Sequence, residues 1–246
     1  MENTAKRKRG KRVILIIIII IVVLLAAMMI YLGRYYHADA DAIEALDSDE
    51  QVTVTEISEG YLFDGPGEDA AVVFYPGGKV EEESYAPLLQ QLAAQGIDAF
   101  LLEMPFRLAV FDMDAADDVV GDYDYDQWVM AGHSLGGVAA ASYASEHADE
   151  VDGLVLLASY PTEEISEQTK MLSIYGSEDQ VLNMESYDES RNLWSAQTEE
   201  VVIEGGNHAQ YGNYGEQKGD GEATVSAEEQ QEETVQQILE MLEDGR

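Results

Sequence analysis

Hydrophobic and polar positions follow three patterns along this chain, and each predicts a different element. The first is an unbroken run, Val13 to Leu32, of twenty uncharged and mostly apolar residues rich in isoleucine. At about 1.5 Å per residue it makes a helix of roughly 30 Å, the thickness of a bilayer's hydrocarbon core. The second is alternation in Val52-Thr53-Val54-Thr55-Glu56-Ile57, which predicts an edge strand that pairs with Tyr61-Leu62-Phe63. The third is a series of short apolar runs over 71–75, 98–102, 127–131, 151–158, 170–175 and 200–203, each the length of a buried strand. Stretches of helical composition lie at 84–95, 115–120, 135–147, 184–193 and 227–242, with a short helix over 40–46. Short apolar strands separated by helices predict the α/β class: a doubly wound, mostly parallel sheet whose ligands gather at the strands' C-terminal ends.

The same pattern divides the chain into a basic tail (1–12), a transmembrane signal anchor (13–32), a linker (33–50) and one domain (51–246). About two hundred residues can bury roughly 70% of their unfolded surface, enough for a core of their own. Lys6, Arg7, Lys8, Arg9, Lys11 and Arg12 stand before the apolar run against the single acid Glu2. By the positive-inside rule this keeps the N-terminus in the cytoplasm and places the domain outside a single-pass cell membrane protein. A cleaved signal peptide is the competing reading, because Ala38-Asp39-Ala40 is a small-x-small sequence; cleavage would make the domain a secreted one. Secretory apolar regions run only about 7 to 15 residues, which favours a retained anchor.

Charge sharpens the division. The chain holds 13 basic and 49 acidic residues, for a net charge of −36, and nearly half of the basic ones sit in the tail. So acidic a domain repels phosphate polymers, which excludes nucleic acid as a partner, and its carboxylates read as a solvated coat that destabilises the fold by self-repulsion. Screening should relieve that repulsion. The melting temperature is therefore expected to rise between low and molar NaCl, and a flat or falling thermal-scan curve removes the idea. No cysteine occurs, which rules out disulfides, thiolate metal sites and a cysteine nucleophile.

Candidate chemistry centres on Gly132-His133-Ser134-Leu135-Gly136, a G-x-S-x-G sequence between the apolar run 128–131 and the helix-forming run 138–143. A strand that breaks into a turn of small residues and re-emerges as a helix is the setting of a nucleophile elbow, with glycines where side chains would strike the neighbouring strand and helix. Ser134 needs a base. Of the four histidines, His37 borders the apolar segment, His133 belongs to the elbow and points away from the hydroxyl's open side, and His147 ends the following helix. His208 remains, in a loop just after the run 200–203. A carboxylate must orient it; Asp179 and Glu178 both follow the run 170–175.

With Asp179 as the acid, the chain order Ser134, Asp179, His208 is that of the alpha/beta hydrolases. From about Val52 to Leu242 the sequence resembles a compact alpha/beta-hydrolase domain of the dienelactone-hydrolase-like kind, and in particular membrane-anchored hydrolases of Gram-positive bacteria. The likeness is carried by Phe74-Tyr75-Pro76-Gly77-Gly78-Lys79, Ala131-Gly132-His133-Ser134-Leu135-Gly136-Gly137, Ser173-Ile174-Tyr175-Gly176-Ser177-Glu178-Asp179 and Gly205-Gly206-Asn207-His208. It departs where the family's His-Gly pair reads Pro76-Gly77, and where dienelactone hydrolases carry cysteine in place of Ser134. The resemblance implies an oxyanion hole built from the N–H of Leu135 and a second amide after the strand 71–74, with Gly78 the first choice and Lys79 the second. It also favours Asp179 over Glu178.

Only residues 159–169 separate the sixth strand from the acid's strand, so no cap domain fits and the site is open. Lys79, Phe106, Arg107, Tyr160 and Tyr211 are candidate substrate contacts on nearby loops, and the glycine-rich stretch 212–221 is either a surface turn or one rim of the pocket. Asp122-Tyr123-Asp124-Tyr125-Asp126 imitates the start of a calcium loop but has Gln127 where glycine is needed and His133 where glutamate is needed. No cofactor or metal is implied. The expected activity is a serine hydrolase that cleaves an ester or related acyl bond of a small-molecule substrate through an acyl-enzyme. The alternatives are an acyltransferase or peptidase using the same triad, or a non-catalytic surface-binding domain.

Overall fold

The structure, a computed structural model, describes residues 2–243 of the chain, with side chains from Ile14 onward. It forms two compact units that divide after Tyr35. The first is helix α1 (Glu2–Leu32). Its stretch Ile14–Leu32 has a mean hydropathy of 3.4 and is long and apolar enough to cross a membrane. The charged side chains of the expected basic tail lie outside the described residues.

The second unit carries α2 (Ala40–Glu44), β1 (Thr53–Ile57), β2 (Gly60–Asp64), β3 (Ala70–Tyr75), α3 (Ala86–Ala94), β4 (Asp98–Leu102), α4 (Ala116–Asp122), β5 (Gln127–His133), α5 (Leu135–Glu146), β6 (Gly153–Leu157), β7 (Lys170–Gly176), α6 (Met184–Ser190), β8 (Thr198–Ile203) and α7 (Ala227–Glu243). The eight strands form one sheet in the order β1-β2-β4-β3-β5-β6-β7-β8. β1 and β2 are an antiparallel pair, and β2 meets β4 antiparallel. From β4 to β8 every pairing is parallel.

Parallel strands need crossover helices, and those helices cover both faces. This explains why β3, β4 and β6 are buried at every position. Alternate residues of each strand serve opposite layers. On one face Val72, Phe74, Val129, Ala131, Val155 and Leu157 pack with Leu88, Leu89 and Leu92 of α3 and Val235 and Ile238 of α7. On the other face Ala71, Val73, Met130, Leu154 and Leu156 pack with Ala139, Ala140 and Tyr143 of α5. The alanine-rich side of α5 lets its backbone lie close to β5 and β6.

Several expected helices are shorter than their sequence pattern. The stretch 84–95 begins as a 3-10 turn, Glu82–Tyr85, and becomes α-helix at Ala86, with Pro87 in its first turn. The stretch 184–193 ends in a 3-10 turn, Arg191–Leu193. Two further 3-10 turns, Pro105–Arg107 and Ala109–Phe111, follow β4. Between β6 and β7 the described residues form neither helix nor strand, so that connection supplies no cap.

Candidate functional site

Because the central strands run parallel, the loops after β3, β5, β7 and β8 emerge at one edge of the sheet, and they carry Gly78, Ser134, Asp179 and His208. β5 ends at His133 and α5 begins at Leu135, so a single residue makes the turn. That residue, Ser134, has φ 53° and ψ −121°, a conformation that costs a non-glycine residue about 1–3 kcal/mol. A neighbouring carbonyl and a neighbouring hydroxyl hold it there: Ser134 N–H donates to the Leu157 carbonyl at 2.9 Å, and Ser159 Oγ–H donates to the Ser134 carbonyl at 2.7 Å. The flanking glycines permit the turn by close approach. A Cβ on Gly132 would lie 2.5 Å from the Gly136 carbonyl carbon, and one on Gly136 would lie 2.1 Å from the Tyr75 carbonyl oxygen.

Asp179 and His208 come together from the loops after β7 and β8, His208 Nδ1 lying 2.8 Å from Asp179 Oδ2 with both side chains almost fully buried. The other carboxylate oxygen, Oδ1, accepts the N–H groups of Val181 and Leu182, each at 2.8 Å. His208 Nε2 is buried without a hydrogen-bond partner among the described residues, and Ser134 Oγ makes no hydrogen bond to it. Glu178, the other candidate acid, is half-exposed, and its contacts run elsewhere: its N–H donates to the Gly206 carbonyl and its carboxylate takes Ser177 Oγ–H.

Two side chains fasten the loops that carry this pair. Asp220 accepts Gln180 N–H at 3.2 Å with one oxygen and Ala209 N–H at 2.9 Å with the other. It thereby ties the residue after Asp179 to the residue after His208 and gives the stretch 212–221 a structural task. Gln230 of α7, wholly buried, closes a two-bond clamp on Asn207: its Oε1 accepts Asn207 N–H at 3.0 Å and its Nε2 donates to the Asn207 carbonyl at 2.9 Å.

On the β3 side, Gly78 lies directly against Leu135, a Cβ at Gly78 falling 2.9 Å from Leu135 Cδ2. The Leu135 amide opens α5, where no carbonyl one turn back exists to receive it. The positive end of that helix favours an anion at the same spot. Lys79 is corrected as an alternative donor: its N–H is spent on the Arg107 carbonyl at 2.7 Å. Gly77 N–H is likewise engaged, by Tyr85 Oη at 3.0 Å. Neither of these two amides is therefore available to an oxyanion, and Gly78 between them remains the candidate.

The expected substrate contacts divide. Lys79 is half-buried with φ 62°, and Tyr160 is half-buried at the end of β6 beside Ser159. Arg107 turns toward Glu81 and Glu82, at 3.7 and 4.0 Å; burial pushes the Glu82 carboxyl up to about 7, with the Arg107 guanidinium opposing that rise. Tyr211 is corrected: it is fully buried and packs on His133 with ring centroids 5.5 Å apart, behind the candidate base and out of a substrate's reach. Sequence reasoning passed over Val110 and Phe111, which with Phe106 form an exposed apolar cluster, 48%, 59% and 58% accessible. Phe106 and Arg107 both have positive φ, and the Phe106 and Phe111 rings meet edge to face at 5.9 Å. The Lys79–Arg107 bond fastens this cluster's loop to the loop of Gly78.

Comparison with known proteins accords with this layout. A model of the alpha/beta hydrolase family matches residues 71–232. A search of curated proteins gives no match. Among solved structures, dienelactone hydrolase from Anabaena variabilis is 15% identical at a TM-score of 0.57, the alignment covering 78% of this chain and 99% of that one. A CIB-like hydrolase from Thermoplasma acidophilum is 17% identical at 0.54, with 78% and 99% covered. A bacterial membrane phospholipase A, described as a virulence factor, is 14% identical at 0.60, with 95% and 98% covered.

Proposed function

Because the chain belongs to the alpha/beta-hydrolase family, we propose that it is a membrane-anchored serine hydrolase that cleaves an ester or related acyl bond outside the cell. Ser134 Oγ attacks the carbonyl carbon while His208 Nε2 takes its proton. Asp179 fixes the tautomer by accepting Nδ1–H and stabilises the imidazolium. The amides of Gly78 and Leu135 receive the oxyanion; losing one such donor costs about 2.7–4 kcal/mol of barrier. The tetrahedral intermediate expels its alcohol, which takes the proton from His208, and water releases the acyl group by the same path in reverse.

The observation that carries this reading is the Asp179–His208 bond at 2.8 Å, which leaves Nε2 unpartnered on a ring packed 4.6 Å, centroid to centroid, from that of His133, the residue before Ser134. The apolar stretch Ile14–Leu32 of α1 supports the anchor, and the basic residues before that stretch support a cytoplasmic N-terminus. The decisive test treats the detergent-solubilised full chain with a fluorophosphonate probe. Wild type should label and Ser134→Ala should not. Labelling that persists in the variant, or is absent from wild type, overturns the assignment.

The cluster of Phe106, Val110 and Phe111 supports a substrate with an apolar acyl chain. A fully buried methylene is worth about 0.8 kcal/mol. Against nitrophenyl esters, kcat/KM should therefore rise roughly two- to fourfold per added methylene from acetate to octanoate. Phe106→Ser combined with Phe111→Ser should flatten that slope while leaving acetate hydrolysis within about twofold. An equal loss across all chain lengths would dissociate the cluster from the acyl chain.

A further inference from the structure

Two buried side chains beside the site have no part in the proton transfers above. One is His133, the residue before Ser134. Strand alternation sends its ring to the α3 and α7 face of the sheet, opposite to α5, and there it is 1% exposed. His208 arrives on that same face, its ring centroid 4.6 Å from that of His133 with the planes tilted by 52°. The other is Tyr85, fully buried, whose Oη lies 2.8 Å from His133 Nδ1 and accepts Gly77 N–H at 3.0 Å.

The direction of the central bond follows from chemistry. Burial pushes the Tyr85 phenol far up, so it keeps its proton, and His133 Nδ1 is the acceptor within reach. Tyr85 O–H therefore donates to His133 Nδ1, which assigns His133 the tautomer protonated at Nε2. Burial, reinforced by the neighbouring His208, holds His133 well below the usual histidine range, so it stays neutral. The chain of contacts runs from the amide beside Gly78, through Tyr85, to His133 and on to the face of His208. No other residue type fits at Gly77 without displacing it: a Cβ there would lie 2.6 Å from Tyr85 Oη and 2.8 Å from His133 Nδ1.

We propose that Tyr85 and His133 are a positioning pair that locks the oxyanion loop and the catalytic base into one register, presenting an uncharged ring to His208 as it takes and returns the serine proton. The inference rests on the Ser134-His208-Asp179 reading and adds two residues that act through His208 and Gly78, touching no substrate themselves. Because both are needed for one contact path, their effects are not additive.

The experiment is a double-mutant cycle on the full chain with a nitrophenyl ester, accompanied by fluorophosphonate labelling and melting curves. Tyr85→Phe, which removes a single oxygen, should lower kcat about tenfold or more with KM within about twofold. His133→Phe, which keeps an aromatic ring but no acceptor, should do the same, and the double variant should be no slower than the worse single one. His133→Asn keeps an acceptor near the position of Nδ1 and should recover kcat to within about threefold of wild type. Additive losses, an unaltered kcat in Tyr85→Phe, or equal damage from His133→Asn and His133→Phe would each overturn the pair while wild-type labelling leaves the triad standing. Wild type that neither labels nor turns over would overturn the triad and the pair with it.

Discussion

Replacing Ser134 with alanine should lower kcat for a nitrophenyl ester by on the order of 10⁵- to 10⁶-fold, the scale on which serine triads lose turnover when the nucleophile is removed. Alanine keeps the Cβ, so the backbone at φ 53° carries the same strain before and after. The bonds from Ser134 N–H to Leu157 and from Ser159 to the Ser134 carbonyl involve only its main chain and persist. KM and melting temperature should therefore stay close to wild type while kcat collapses. Rate above the uncatalysed reaction should survive through the Gly78 and Leu135 amides, which need no nucleophilic side chain. Steady-state kinetics with a melting curve checks this; a folded variant that keeps more than about one per cent of wild-type kcat would put the nucleophile elsewhere.

Asp179→Asn should cost about 10⁴-fold in kcat, for a reason specific to this loop. Asp179 Oδ1 accepts two backbone N–H groups and Oδ2 faces His208 Nδ1. An asparagine has one acceptor oxygen and one donor NH₂. Its oxygen must serve Val181 and Leu182, since the reverse would set NH₂ against two amide donors. The NH₂ then points at His208 Nδ1 and forces that nitrogen to be the acceptor, which moves the ring proton to Nε2. A base protonated there cannot receive the serine proton. Glu178→Gln, at a side chain with no contact to His208, should leave kcat within about threefold. Equal losses from the two variants would mean that Asp179 is not the orienting acid.

Much of the sheet was legible because strands buried on both faces must be short and almost wholly apolar: Ala71–Tyr75 has no charged or amide side chain, and Asp98–Leu102 and Gln127–Ala131 each carry a single polar residue, at the strand's start. The elbow was legible because its geometry tolerates few residues: the contacts at Gly132 and Gly136 leave no room for a Cβ. Placing β4 between β2 and β3 was not legible, because sheet order depends on long-range pairing that local periodicity does not encode. His133 illustrates the same limit. It was read only as the elbow residue that points away from the hydroxyl's open side, and nothing local announces that His208, 4.6 Å away between ring centroids, would pack against it. Tyr211 looked like a pocket wall because it follows His208 closely in sequence, yet a 3-10 turn at Ala209–Tyr211 carries its ring inward. The exposed apolar loop was hidden by its irregularity, since two consecutive residues with left-handed backbone, Phe106 and Arg107, obey no helical or strand period.

The Gln230 clamp has a bearing on biogenesis. Gln230, which seats the loop of His208, belongs to the final helix, so a chain emerging from the ribosome displays Ser134 and Asp179, the proposed nucleophile and acid, well before the imidazole has a fixed seat. Hydrolytic competence should switch on abruptly once α7 docks, and chains released short of that helix would be catalytically silent however well the earlier strands had assembled.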